Sequence, residues 1–289
     1  MGRALAGELV ARGCEVIVLT RRVSEQMGPV RQVEWDGRTL GECHKLIDGA
    51  GAVVNLAGRS VNCRHTPENR REILESRVNS TRAIGEAIAH CVQPPRVWVQ
   101  ASSLAIYGDT GERWCDESTP AGKDYLAETC VEWEKVLAKA PTPKTRRVAV
   151  RIGIVLAKDE GALTVLAKMV RWGFGGSAGN GKQYVSWLHI ADMNRIFLAA
   201  IEREELEGAY NASALNPVTN AEFMCELRRA LHRPWSPPAP GWAVRFGSRF
   251  LGTEARLALE GRRAIPKRLV ESKFEFKFPY IRDALGSLY

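Results

Sequence analysis

No apolar run in the 289 residues approaches the ~20 that a membrane-spanning helix needs, and the start carries no signal-peptide pattern. Neither a membrane partner nor a secretory route is expected. The seven cysteines (Cys14, Cys43, Cys63, Cys91, Cys115, Cys130 and Cys225) lack the paired short spacing of a zinc site or redox dithiol. They read as free thiols of a reducing, cytoplasmic compartment. The five histidines form no metal-ligand spacing, so no metal is expected. No Gly-x-Ser-x-Gly elbow presents a hydrolase serine. Internal repeats and low-complexity tracts are also missing. The net charge of +8 raises the question of nucleic acid, but the positives are dispersed, as in Arg21-Arg22, Arg70-Arg71, Arg146-Arg147 and Arg262-Arg263. Without a basic-aromatic sheet motif or a groove-reading helix, nucleic acid is not an expected partner. Most positives read as solvated surface, with a few left to meet a phosphorylated ligand.

What is present is an ordinary globular composition, 45% hydrophobic and 26% charged, on a chain long enough for a sizeable core. Short β-branched segments at 15–20, 31–35, 52–56 and 96–103 alternate with helical patterns at 2–12, 44–47, 66–91 and 124–138. That rhythm predicts crossover units, a parallel sheet and helices on both faces. Residues 147–156 are apolar enough for one strand buried on both faces. Beyond Leu156 the rhythm changes. A helix over 162–172 precedes the glycine-rich stretch 173–181, followed by a strand over 184–188, a helix over 190–202, a strand over 209–212 and a helix over 220–231. Pro234, Pro237, Pro238 and Pro240 then precede a mostly helical end. The expected division is a nucleotide-binding domain over 1–157 and a substrate lobe over 158–289, with some later elements returning to the sheet.

Open α/β sheets place their ligands at the carboxyl ends of their strands. There the chain delivers Ser102-Ser103, which by themselves equally suit a simple strand-to-turn junction. Asn55-Leu56-Ala57-Gly58 leaves a strand the same way, with Gly58 permitting close backbone approach to a ligand.

Asn55-Leu56-Ala57-Gly58 resembles the Asn-Asn-Ala-Gly element of the short-chain dehydrogenase/reductase superfamily. Ser102-Ser103 with Tyr107-Gly108 resembles the Ser-Ser-x-x-x-Tyr-Gly element of its extended, epimerase-like branch. The segments 151–155, 187–192, 218–223 and 265–269 resemble an atypical subgroup of epimerase-family proteins, and the match runs from Gly2 to the carboxyl end. The resemblance implies a Rossmann-type doubly wound, mostly parallel sheet with a small, mainly helical C-terminal lobe, and a bound NADP. Thr20-Arg21 follows the second strand, where an arginine meets the extra phosphate of NADP rather than the free ribose of NAD. Arg22 shares that duty, although an Arg-Arg pair also suits a solvated strand end. The resemblance lays Leu56 and Ala57 along the adenosine, sets Val155 near the nicotinamide, and leads Glu72 and Arg77 to the cofactor. Glu72 and Arg77 are five residues apart and do not share a helix face, so two unrelated surface charges are the competing reading.

Two departures accompany the resemblance. The family opens with a strand and a Gly-x-x-Gly-x-x-Gly turn whose backbone N–H groups hold the pyrophosphate. This chain opens at Met1-Gly2-Arg3, with Gly2 in the place of the last glycine. The expectation is a truncated chain whose sheet lacks its central first strand, with weaker dinucleotide binding and lower stability than the full form. The second departure is catalytic. The superfamily's Tyr-x-x-x-Lys sets an ammonium beside a phenol, lowering its pKa. Here Tyr125 keeps its place and Thr129 replaces the lysine. Ser103 orienting a carbonyl and Tyr125 relaying a proton imply an oxidoreductase acting on a small carbonyl or alcohol. The rival is a non-catalytic dinucleotide binder. Tyr107 reads as packing, His189 as closing the cofactor site or filling the core, and Lys267 and Arg268 as solvated or meeting a substrate anion. A homodimer through the helices at 66–91 and 124–138 completes the expectation.

Overall fold

The computed structural model describes residues 1–24, 30–250 and 252–289. Helix α1 (Gly2–Ala11) ends at Gly13, whose φ of 79° suits a residue without Cβ. The parallel pair β1 (Ile17–Thr20) and β2 (Arg31–Glu34) follows, then the short helix α2 (Cys43–Ile47) and strand β3 (Ala52–Asn55). Thr66 accepts the Asn69 N–H and Pro67 takes the first turn, so α3 (Pro67–Ala89) starts where cap chemistry dictates. Strand β4 (Val97–Ser103) runs through the core and ends in one turn of 3-10 helix over Leu104–Tyr107. After a short strand β5 (Trp114–Cys115), Asp124 caps helix α4 (Tyr125–Ala138).

The apolar stretch at 147–156 is not one strand. It forms β6 (Arg146–Ile152) and β7 (Ile154–Leu156), divided at Gly153. A Cβ on Gly153 would stand 2.5 Å from the Ser186 carbonyl oxygen, so the crossing of two chain segments sets the break. Helix α5 (Ala162–Arg171) follows. The single strand expected at 184–188 is likewise split, into β8 (Tyr184–Val185) and β9 (Trp187–His189). Helix α6 (Ile190–Glu202), β10 (Gly208–Ala212), β11 (Val218–Thr219) and α7 (Asn220–Ala230) come next, α7 opening with a capping box between Thr219 and Glu222. The end comprises α8 (Gly241–Phe250), α9 (Arg256–Leu259), β12 (Arg263–Ala264), α10 (Lys267–Glu271) and α11 (Ile281–Gly286).

Strands β3, β4, β6 and β10 form a parallel sheet in that order, while β1 and β2 pair separately. Period-two alternation sends Val97, Val99, Val148 and Val150 to one face, where they meet Leu5 of α1 and Met193, Ile196 and Phe197 of α6. Trp98 and Ala149 point to the other face, against Ile84 and Ile88 of α3 and Leu137 of α4. Leu19 of β1 and Val53 of β3 border that second cluster, so both sheets contribute to one body. Helices α5, α7 and α11 enclose a separate cluster around Trp187 and Phe223. A fourth cluster, of Leu104, Ile106, Tyr107, Cys115, Cys130 and Ala264, joins the carboxyl end of β4 to the late strand β12. Among the described residues no helix is long and apolar enough to cross a membrane.

Candidate functional site

The carboxyl ends of β1, β3, β4 and β7 carry the residues singled out by sequence. At β1, the Thr20 hydroxyl accepts the Arg22 N–H at 3.3 Å and donates to the Arg22 carbonyl at 3.0 Å, making a tight turn. The turn leaves Arg21 and Arg22 exposed, with no side-chain partner among the described residues. At β3, the buried Asn55 donates to Gln100 Oε1 at 3.0 Å and accepts the Ala57 N–H at 3.0 Å, fixing the exit through Leu56, Ala57 and Gly58. A Cβ on Gly2 would meet Leu56 Cδ1 at 3.6 Å, which sets the start of α1 beside this exit. Leu56 and Val155 border the same core cluster.

Glu72 and Arg77, though five apart on α3, converge on one turn. Glu72 pairs with Arg59. Arg77 donates to the carbonyls of Arg59 at 3.0 Å and Ile73 at 2.9 Å, and its guanidinium would stand 3.3 Å from a Cβ on Gly58. It also stacks on Trp133 of α4, 5.1 Å from the ring centroid. Burial lowers its pKa from the ordinary guanidinium value. Both side chains therefore shape the turn after β3.

Ser103, half-buried at the end of β4, accepts the Ala105 N–H at 3.1 Å and keeps its own proton for another acceptor. Its neighbour Ser102 is committed elsewhere: it donates to Glu134 at 2.6 Å, and Glu134 is gripped by both arms of Arg151 at 2.9 and 2.8 Å. Arg151 also donates to the Tyr107 hydroxyl at 3.0 Å, which donates to Asn211 at 2.8 Å. Burial alone would lower the Arg151 pKa, but the Glu134 carboxylate outweighs it and the net shift is upward. Tyr107 is a packing residue within this network.

Tyr125 opens α4 and lines a cavity with His65, Arg70, Asp124, Glu254 and Arg262. Its hydroxyl donates to the Arg70 carbonyl at 3.0 Å, the Arg70 guanidinium lies 4.9 Å from its ring centroid, and His65 meets the ring edge at 5.6 Å. Burial raises the phenol pKa, opposed by the positive charges of Arg77 and Arg70. Thr129 turns its hydroxyl back onto the Tyr125 carbonyl at 2.8 Å. Below it, burial pushes the Cys130 thiol up to about 12, so it stays neutral. Among the described residues Ser103 and Tyr125 share no hydrogen bond, and each has its own partner.

Arg70, His65, Glu254 and Arg262 were not legible as site residues. The only available signal was the seven-residue spacing of Arg70 and Arg77, two turns apart on one face of α3. Of the two readings open for His189, the structure shows the core one: it caps α6, accepting the Ala191 N–H through Nδ1 at 3.1 Å, and stacks on Phe278 at 4.0 Å. Lys267 pairs with Asp116 at 3.3 Å and Arg268 donates to the carbonyls of Ala209 and Glu207 at 2.6 and 2.8 Å, which ties both to the protein itself.

A parallel sheet with helices on both faces, whose strand ends present an Asn-x-Ala-Gly exit and a free serine hydroxyl, defines a dinucleotide-binding protein of the short-chain dehydrogenase/reductase type. The chain belongs to the NAD dependent epimerase/dehydratase family, whose model matches residues 1–213, while a domain of unknown function matches 239–288. It is 37% identical over 296 residues to the chloroplastic epimerase family protein SDR39U1 homolog of Arabidopsis thaliana, covering 100% of this chain and 83% of that relative. Epimerase family protein YfhF of Bacillus subtilis is 32% identical over 292 residues, covering 100% and 94%. The crystal structure of human epimerase family protein SDR39U1 (isoform 2) with NADPH superposes at a TM-score of 0.88 with 30% identity, covering 99% of this chain and 95% of that one.

Proposed function

We propose that the protein binds NADP(H) and exchanges hydride with a small carbonyl or alcohol substrate. The observation that carries the reading is the exposed Arg21-Arg22 pair at the carboxyl end of β1, without a side-chain partner among the described residues, together with the Ala57-Gly58 exit and the Ser103 hydroxyl at the carboxyl ends of β3 and β4. Two guanidinia without carboxylate partners among the described residues suit a phosphate, and a glycine backbone suits close approach of a nucleotide. The human relative crystallised with NADPH supports this choice. Gly2, Thr20, Arg21, Leu56, Ala57, Gly58 and Val155 would hold the cofactor, with Glu72 and Arg77 bracing the turn at Gly58.

When bound, the cofactor supplies or accepts a hydride at the nicotinamide C4. Ser103 donates its hydrogen bond to the substrate oxygen, while Ala105 holds the serine in place. Tyr125 moves the proton, and its raised pKa keeps it a proton donor at neutral pH. The cations near the phenol come from α3, as Arg70 and Arg77, where the superfamily's lysine would come from α4.

The second reading, a dinucleotide binder without turnover, draws on Thr129, whose hydroxyl is satisfied locally and supplies no charge. NADPH and NADH titrations followed by NADPH oxidation against a panel of small carbonyls separate the two. Turnover lost in Ser103→Ala and Tyr125→Phe supports the oxidoreductase. Cofactor binding without turnover of any carbonyl favours the binder. The proposal includes a cytoplasmic location, a homodimer through α3 and α4 checked by light scattering, and a division near Lys158 checked by limited proteolysis.

A further inference from the structure

Arg262 is half-buried, held by its backbone and left unsatisfied at Nε. Its N–H donates to the Tyr184 carbonyl at 3.0 Å and its carbonyl accepts the Ser186 hydroxyl at 2.8 Å. Gly261 before it is locked too, since a Cβ there would stand 2.4 Å from the Tyr184 oxygen. The side chain enters the cavity that contains Tyr125, yet Nε is buried without a partner, and the guanidinium makes no hydrogen bond or ion pair among the described residues.

Nearby arginines have partners for their charge. Arg263, whose Nε is also buried without a partner, stacks on Trp114 at 3.8 Å and Tyr184 at 4.3 Å and donates through Nη1 to the Glu112 carbonyl at 3.3 Å, Arg256 donates to Glu260 at 2.6 Å, and Arg151 is gripped by Glu134. The cavity's carboxylates are already engaged. Asp124 accepts the N–H groups of Leu126 and Ala127, Glu254 accepts the His65 N–H at 2.7 Å, and Glu260 holds Arg256. Arg70, exposed at the same cavity, lies on the Tyr125 ring and has no ion pair among the described residues. Burial lowers the Arg262 pKa, with Asp124 the main charge opposing the shift. A guanidinium nonetheless keeps its proton in a protein, so the buried Nε–H calls for an acceptor.

We propose that Arg262, with Arg70 at the same cavity, is the recognition site for an oxyanion of the substrate, a carboxylate or a phosphate borne by the molecule whose carbonyl or alcohol reaches Ser103. The link to that carbonyl rests on the function proposed above, whereas the oxyanion site stands without it. The class of ligand is thereby narrowed to acidic small molecules, and the rigid backbone at 261–264 fixes where their charge must lie.

The test is calorimetric titration of inorganic phosphate and, separately, acetate into the wild type, Arg262→Gln, Arg262→Lys and the surface control Arg282→Gln, with and without NADPH. Thermal midpoints are read in buffer free of phosphate and carboxylate. The expected result is saturable binding of at least one anion, weakened tenfold or more in Arg262→Gln, less in Arg262→Lys, and unchanged in Arg282→Gln. In anion-free buffer Arg262→Gln should melt at or above the wild type, because the Nε–H buried without an acceptor is gone. Adding the anion should raise the wild-type midpoint and leave the variant's where it was. A lower midpoint with anion binding intact makes Arg262 a structural arginine and overturns the proposal. Absence of saturable binding of either anion overturns it too, as does phosphate binding that NADPH abolishes, which assigns the site to the cofactor. Failure of the cofactor reading is seen separately, as no NADPH binding in titrations that leave the anion result untouched.

Discussion

Tyr125 shows at the scale of one residue how far a motif reaches. Its place after Ser103 is legible in the chain, as is the threonine where a lysine would stand. That Arg70 and Arg77 bring positive charge to the phenol from a different helix is not legible, because the packing of α3 on α4 decides it. Since burial lifts the phenol above its ordinary pKa of 10.0, carbonyl reduction should stay level from neutral to mildly alkaline pH and fall only beyond that ordinary range. Arg70→Gln removes one opposing cation and should move the fall further up. A rate that declines between pH 7 and 9 in the wild type would show that Tyr125 is not the donor.

At the scale of the element, the helices were the most readable parts, since Thr66, Asp124 and Thr219 announce their starts by cap chemistry alone. Residues 147–156 and 184–188 read as continuous strands because both halves of each are apolar, and only the crossing at Gly153 and Ser186 separates them. Gly153→Ala should therefore cost roughly 1–3 kcal/mol, measured by urea unfolding, because the new methyl meets a backbone oxygen that cannot step aside. An unchanged midpoint would mean that the crossing is softer than the geometry requires. His189 supplies a pH-dependent case. Burial lowers its pKa, with Asp192 opposing, so the unfolded chain takes up the proton more readily than the folded one. Its contribution is complete above the unfolded value near 6.5 and fades as the pH drops below it. The wild type should lose stability between pH 7.5 and 5.5, and His189→Asn, which keeps a capping acceptor without titrating, should lose less.

At the scale of the whole molecule, the parallel sheet, its two-sided burial and the return of α6 and β10 to it follow from strand–helix alternation, and the sequence pattern anticipated them. The joint between sheet and carboxyl end was hidden. Ser102, Glu134, Arg151, Tyr107 and Asn211 form one buried chain of hydrogen bonds, and Asn211 passes it on to the Ile265 carbonyl at 2.9 Å. These residues lie far apart in sequence, and no local period betrays them. With side chains only 11% and 16% exposed, Arg151 and Glu134 are a buried pair, so Glu134→Ala should destabilise the fold by about 3–5 kcal/mol in denaturant titration. A loss under 1 kcal/mol would mean that the network is not a keystone of the joint.

On the function proposed above, the carboxyl ends of β1, β3 and β4, with Arg21, Ala57, Gly58 and Ser103, hold a phosphorylated nicotinamide dinucleotide. Parallel fluorescence titrations of NADPH and NADH into the wild type and Arg21→Ala test it most directly. Saturable NADPH binding is expected, tighter than NADH by roughly 10- to 100-fold, with that ratio collapsing toward one in the variant as a charge-assisted contact is lost. NADH binding as tightly as NADPH, or a preference that survives Arg21→Ala, would contradict it.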